Sequence, residues 1–152
     1  AIGIPGGISL LIFGVQALLE LHPDWVVARI DLRNAYNEIK RAAIFRRLND
    51  SEHLRCLTPL FWATHSVQSS VYFATPGSDR ADFDSEEGVQ QGSGPASAGF
   101  CAGIHPEVQA LDLELSAHGG AARFIMDDGY AVGPPAIVFD AIRRFGEAVA
   151  FW

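Results

Sequence analysis

The sequence predicts an α+β fold, a small and mostly antiparallel sheet with helices packed on one face. Two observations carry this expectation. Apolar residues recur at helical spacing in some stretches and as short β-branched runs in others, in the order helix, strand, helices, hairpin, helix, hairpin, helix. With 49% hydrophobic residues, the 152-residue chain can build the core of a single domain over residues 1–152.

Each element follows from local signals. Leu10, Leu11, Val15, Leu18 and Leu19 give helical spacing over 7–21, and His22-Pro23-Asp24 ends that helix because proline disfavours helix at the residue before it. The β-branched run 25–32 predicts a buried strand, and Asn34 is placed to cap the turn that follows. Residues 40–48 predict a helix whose Lys40, Arg41, Arg46 and Arg47 form a solvated basic face. A second helix is expected over 52–65, kinked or broken at Pro59. A strand over 67–74, a turn-rich loop over 75–84 and a short strand near 86–89 come next. Pro95 then opens a helix running to about Ala117 and bent by Pro106. His118-Gly119-Gly120 breaks it. Short apolar strands at 121–126 and 129–132 flank a tight turn containing Asp127 and Asp128, and Pro134-Pro135 starts a last helix.

Bulk properties narrow the function classes. The net charge of −7 has the wrong sign for a stand-alone nucleic-acid binder, whose affinity rests on neutralising phosphates. No apolar run is long enough to span a bilayer, so no membrane partner is expected. No signal peptide is recognisable, and an intracellular location, nuclear or cytoplasmic, is left unassigned. Cys56 and Cys101 lack metal-ligand spacing and are expected to be two buried thiols. The five histidines lack zinc spacing, and Ser93 and Ser97 do not form a nucleophile elbow. The chain starts at Ala1, has its sole methionine at Met126 and stops within an apolar helix-like run, features that suggest a fragment of a longer reading frame.

The chemistry-bearing residues are carboxylates. Asp31 ends the apolar run Val-Val-Ala-Arg-Ile-Asp, and Asp127-Asp128 ends Arg-Phe-Ile-Met. An apolar strand end is a costly place for an unpaired charge. Two such places, far apart in sequence, predict carboxylates that meet around a shared cation, as two-metal phosphoryl transfer requires. Alone, each is a turn or cap residue by default. A third segment, Gly88-Val89-Gln90-Gln91-Gly92, precedes a helix rich in small residues (Ala96, Ala98, Gly99, Ala102, Gly103), which permits close approach of a bulky partner.

In order and spacing these three segments resemble the palm of reverse transcriptases, closest to those of non-LTR retroelements. Ile30-Asp31-Leu32-Arg33-Asn34-Ala35-Tyr36-Asn37 is similar to motif A, Gly88-Val89-Gln90-Gln91-Gly92 to motif B, and Phe124-Ile125-Met126-Asp127-Asp128 to motif C. Ile4-Pro5-Gly6-Gly7, His105-Pro106 and Gly129 add flanking similarity. The pattern departs after Gln91-Gly92, where Ser93-Gly94 displaces the usual proline to Pro95.

The resemblance implies an RNA-directed DNA polymerase palm, lacking most of the fingers and all of the thumb and inactive as an isolated fragment. It implies catalytic and metal-binding roles for Asp31, Asp127 and Asp128, with two Mg2+ ions, or Mn2+ in their place. It places Leu32, Arg33, Asn34, Ala35, Tyr36, Gln91 and Gly92 around the nucleotide, with Tyr36 as the gate beneath the sugar. Implied partners are an RNA template, a DNA primer, a dNTP and the remaining fingers and thumb of a parent polyprotein. The alternative is a decayed or repurposed palm module with a non-catalytic binding role. A nucleotide cyclase on a related fold is disfavoured, because it needs neither the Gln91-Gly92 turn nor a gate at Tyr36.

Overall fold

A computed structural model describes residues 6–73 and 81–150. Its elements are α1 (Gly7–Leu21), β1 (Val26–Asp31), α2 (Ala35–Glu38), α3 (Arg41–Asp50), α4 (Thr58–His65), β2 (Ser69–Phe73), β3 (Ala81–Ser85), α5 (Gly94–Ser116), β4 (Ala121–Ile125), β5 (Asp128–Gly133) and α6 (Pro135–Val149), with a 3-10 turn at Arg55–Leu57. The α+β class and the small antiparallel sheets are as the sequence predicts. The chain forms two compact units, one from Ala1–Arg33 with Ile104–Phe151 and one from Asn34–Gly103.

The first unit is built on a three-stranded antiparallel sheet in the order β1-β5-β4. β5 is central, and Gly129, Ala131, Val132 and Gly133 are buried along it. Alternation sends Ala122, Phe124 and Ala131 to one face and Arg123, Tyr130 and Val132 to the other. α6 covers the first face with Val138, Ala141 and Phe145, and the Phe145 ring lies 5.6 Å from that of Phe124. α1 has no buried residue and borders a cavity of about 290 Å3 with Ala121, Arg123, Tyr130 and Val132 on the second face. The expectation of helices on one face is therefore refined: α1 lies opposite α6. Behind β4, Asp112 of α5 accepts hydrogen bonds from the Ala122 amide (2.8 Å) and from Arg123 (2.7 Å).

The second unit packs α2, α3 and α4 with residues 94–103 of α5, around Ile39, Ile44, Leu48, Phe61 and Phe100. The small-residue face of α5 has the expected purpose. A β-carbon on Gly99 would lie 2.3 Å from the Phe61 ring, and one on Gly103 would lie 2.6 Å from Ile39. β2 and β3 form a separate antiparallel hairpin.

Several local expectations are corrected. Pro59 stands in the first turn of α4 and starts that helix instead of breaking a longer one, since a first-turn proline forfeits no hydrogen bond. The strand expected near 86–89 lies earlier, at β3; of the expected 75–84 loop, 75–80 falls outside the described residues. Arg41 is not on a solvated face: it is buried, and its Nε donates to the Gly88 carbonyl (2.8 Å) and its Nη1 to the Val67 carbonyl (3.1 Å). Its Nη2 donates to the Ser85 carbonyl and hydroxyl, both at 3.1 Å. The two thiols are exposed instead of buried, Cys56 in the 3-10 turn and Cys101 on α5.

Candidate active site

The carboxylates meet through sheet register. Asp31, the last residue of β1, is paired directly with Asp128, the first of β5, and Ile125 flanks Asp128 from β4. Asp127 sits beside them in the two-residue turn that joins β4 to β5. In the sheet the cross-strand partner of Asp31 is Asp128, with Asp127 one residue further along. Met126, first in that turn, has φ +59°, a left-handed value that costs a side-chain-bearing residue about 1–2 kcal/mol. A tight hairpin needs this backbone, and β5 at the centre of the sheet holds it there.

Gly129 shapes the same end. A β-carbon there would lie 2.4 Å from the Phe124 ring, so the cross-strand pair Phe124–Gly129 lets the aromatic lie over the backbone next to Asp128. This gives the aromatic and the glycine flanking the Asp pair a common physical reason.

A charged residue outside the sequence-derived set completes the cluster. Arg29 lies two residues before Asp31 on the same face of β1, opposite Tyr130 and diagonal to Asp128. Its Nη2 donates to Asp128 Oδ1 at 2.8 Å. That hydrogen bond, then the charge of Asp128, hold the guanidinium above its ordinary range, with smaller contributions from Tyr130 and Asp31. The signal was present in the sequence as an arginine at period two from Asp31, inside a run otherwise apolar.

The donor set fits a hard divalent cation. Mg2+ takes oxygen ligands, keeps several waters, and is commonly held by one or two carboxylates with substrate phosphates filling the rest of the shell. Among the described residues no three His, Cys, Asp or Glu side chains gather into a group that holds a metal by itself. Asp31 and Asp128 supply opposed carboxylates and Asp127 an adjacent one.

The remaining expected site residues divide between the units. Leu32 and Arg33 follow β1 in the first unit; Asn34, Ala35, Tyr36, Gln91 and Gly92 belong to the second. Asn34 adopts left-handed backbone (φ +51°), which asparagine tolerates, and its carbonyl accepts the Asn37 amide (2.9 Å) at the start of α2. Its side chain caps no backbone amide; Asn34 Oδ1 instead accepts from Asn37 Nδ2 at 2.6 Å. Tyr36 is 8% exposed, its ring stacked 4.6 Å from Phe100 and its hydroxyl a long 3.4 Å from Ser97. It thus packs as a core aromatic in α2.

The segment 88–92 is fastened to α2. The Gly88 amide donates to the Ile39 carbonyl (3.0 Å) and the Val89 amide to the Tyr36 carbonyl (2.6 Å). Gly88 has φ +72°, and a β-carbon there would lie 2.3 Å from the Asn37 carbonyl oxygen. Gln91 and Gly92 follow, both exposed, with Gly92 at φ +89°. Arg41, also missed in the sequence, anchors this segment through the Gly88 carbonyl. Its signal was a cation at a helix N-terminus, where the helix dipole disfavours it and tertiary partners must compensate.

No protein-family model matches this chain, and neither does any curated protein. Among solved structures, the chain is similar to the telomerase of Candida albicans, determined in complex with a TWJ fragment of telomeric RNA. The TM-score is 0.51 at 11% identity, over 90% of this chain and 26% of the telomerase chain. The chain therefore spans about a quarter of the length of the protein it matches, and the likeness is one of fold.

Proposed function

We propose that this chain is the catalytic palm of a reverse-transcriptase-like polymerase, an RNA-directed DNA polymerase of retroelement type. The observation that carries the reading is the direct pairing of Asp31 with Asp128 across β1 and β5, with Asp127 in the adjoining turn. The fold likeness to a telomerase supports it, as do the three ordered motifs. In the reaction the 3′-hydroxyl of a DNA primer attacks the α-phosphate of a dNTP paired to an RNA template, and pyrophosphate leaves. Asp31 and Asp127, with Asp128, would hold the divalent ions, and bound Mg2+ would neutralise charge developing on the phosphates and favour the alkoxide. The strand ends hold the carboxylates in place. The remaining fingers and thumb of a longer polypeptide would grip template and primer.

The test is Mn2+ binding to the purified chain with and without dNTP, followed by electron paramagnetic resonance. Saturable binding that strengthens with dNTP and is lost in Asp127→Asn is expected, and Asp127→Asn in the full reading frame should abolish dNTP incorporation. Retained incorporation in that variant would sink the assignment. A second reading, a decayed palm that binds a partner without catalysis, is favoured by the Ser93-Gly94 departure and by the engagement of Asp128 with Arg29. Absence of any metal-dependent nucleotide binding would favour it.

A further inference from the structure

Arg29, Asp31, Asp128 and Tyr130 form a square of side chains on one face of β1 and β5. Two carboxylates stand directly opposed in it, an arrangement that destabilises a strand pair. The diagonal contact from Arg29 to Asp128 supplies the missing positive charge. Both partners remain substantially exposed, 63% and 47% for the side chains, so the pair is a weak source of fold stability. Its effect is felt on whatever else the carboxylates bind.

From this geometry we infer that Arg29 is the resident counter-ion of the carboxylate pair, competing with a divalent cation for Asp128 and setting the metal affinity of the site. The inference rests on the proposed two-metal reading. A cation that takes Asp128 as ligand must displace the guanidinium from Oδ1 or share the carboxylate with it, and in either case it meets a like charge one residue pair away. Metal-free protein is thereby relieved of Asp31–Asp128 repulsion, and occupancy becomes sensitive to metal concentration. Substrate phosphates change the balance in two ways. They add negative charge to the site, and they offer the released guanidinium a new acceptor, so nucleotide and metal bind together more readily than metal alone.

The experiment is Mn2+ titration of the purified 152-residue chain, read by the paramagnetic resonance of free Mn2+ and by the Mn2+-induced rise in melting temperature. Arg29→Gln should bind Mn2+ roughly tenfold more tightly, the scale expected for removing one charge several ångströms from a divalent ion near a protein surface. Arg29→Thr, favourable in a strand, serves as a second uncharged variant and should behave alike. Arg29→Lys should stay close to the parent protein. Arg143→Gln, which removes the same charge from α6, should leave affinity unchanged. Unchanged or weaker binding in both uncharged Arg29 variants overturns the inference, as does equal tightening in Arg143→Gln. In either event the two-metal reading stands, provided the parent protein binds Mn2+ in a manner that Asp31→Asn removes. If it shows no such binding, the two-metal reading fails and the inference fails with it.

Discussion

Gly88 is held by two independent constraints, its left-handed φ and the Asn37 backbone against its α-carbon. Alanine there incurs about 1–2 kcal/mol for the backbone conformation, and the overlap adds to it because the obstacle is main chain and cannot rotate away. Gly88→Ala should therefore lower stability by at least ~2 kcal/mol in urea denaturation, and a change below ~0.5 kcal/mol would contradict the packing described. His65 offers a pH-dependent counterpart. Burial, and then the nearby Arg41 charge, push its pKa below the ordinary 6.5. The unfolded chain thus takes up the proton more readily than the folded one. Stability from this residue is intact above about pH 6.5 and declines as pH falls below it. The denaturation midpoint should drop between about pH 7.5 and about pH 5.5, and His65→Gln should flatten that slope; equal slopes would refute the assignment. Asp31, Asp127 and Asp128 were legible in the sequence because charge at a strand end is locally anomalous. The bonds of Arg41 were not, since all its side-chain acceptors lie more than twenty residues away.

At the scale of elements, helix glycines divide by what they face. Gly99 on α5 meets the Phe61 ring, whereas a β-carbon added to Gly146 on α6 would have nothing within 4 Å. Gly146→Ala should stabilise by about 0.5–1 kcal/mol through helix propensity alone. Gly99→Ala should instead destabilise by about 1–3 kcal/mol, because the ring must move out of a filled core. Thermal melts of the two variants in parallel check both, and shifts of the same sign would show that α5 is not packed as described. The strongly periodic α1 was readable to both ends, and the start of α6 to within a residue. β3 was not: Ala81-Asp82-Phe83-Asp84-Ser85 holds two aspartates, poor strand formers, and its pairing with β2 overrides that preference. The 3-10 turn before α4 was also hidden, because its residues read equally well as the helix that follows.

For the whole molecule, the net charge of −7 agrees with a chain whose candidate chemistry lies in carboxylates. The segments that carry the expected site residues stand out in the sequence as three separate stretches. Their division between two compact units does not, because it depends on which buried faces find each other. The sheet order was partly legible. The expectation that the strand-end carboxylates meet implied that β1 and the β4–β5 hairpin are neighbours, but only pairing of Ile30 with Gly129 decides that Asp31 faces Asp128.

That pairing ties chemistry to parity. Ile30 is buried and Asp31 is exposed, since successive residues of a strand point to opposite faces. A shift of β1 by one residue would turn the carboxylate toward α6 and the isoleucine toward water. The core thus acts as a proofreader for the acidic cluster: a copy of the chain with the wrong register loses its fold along with its site, so a folded population is also one in which the carboxylates are correctly opposed.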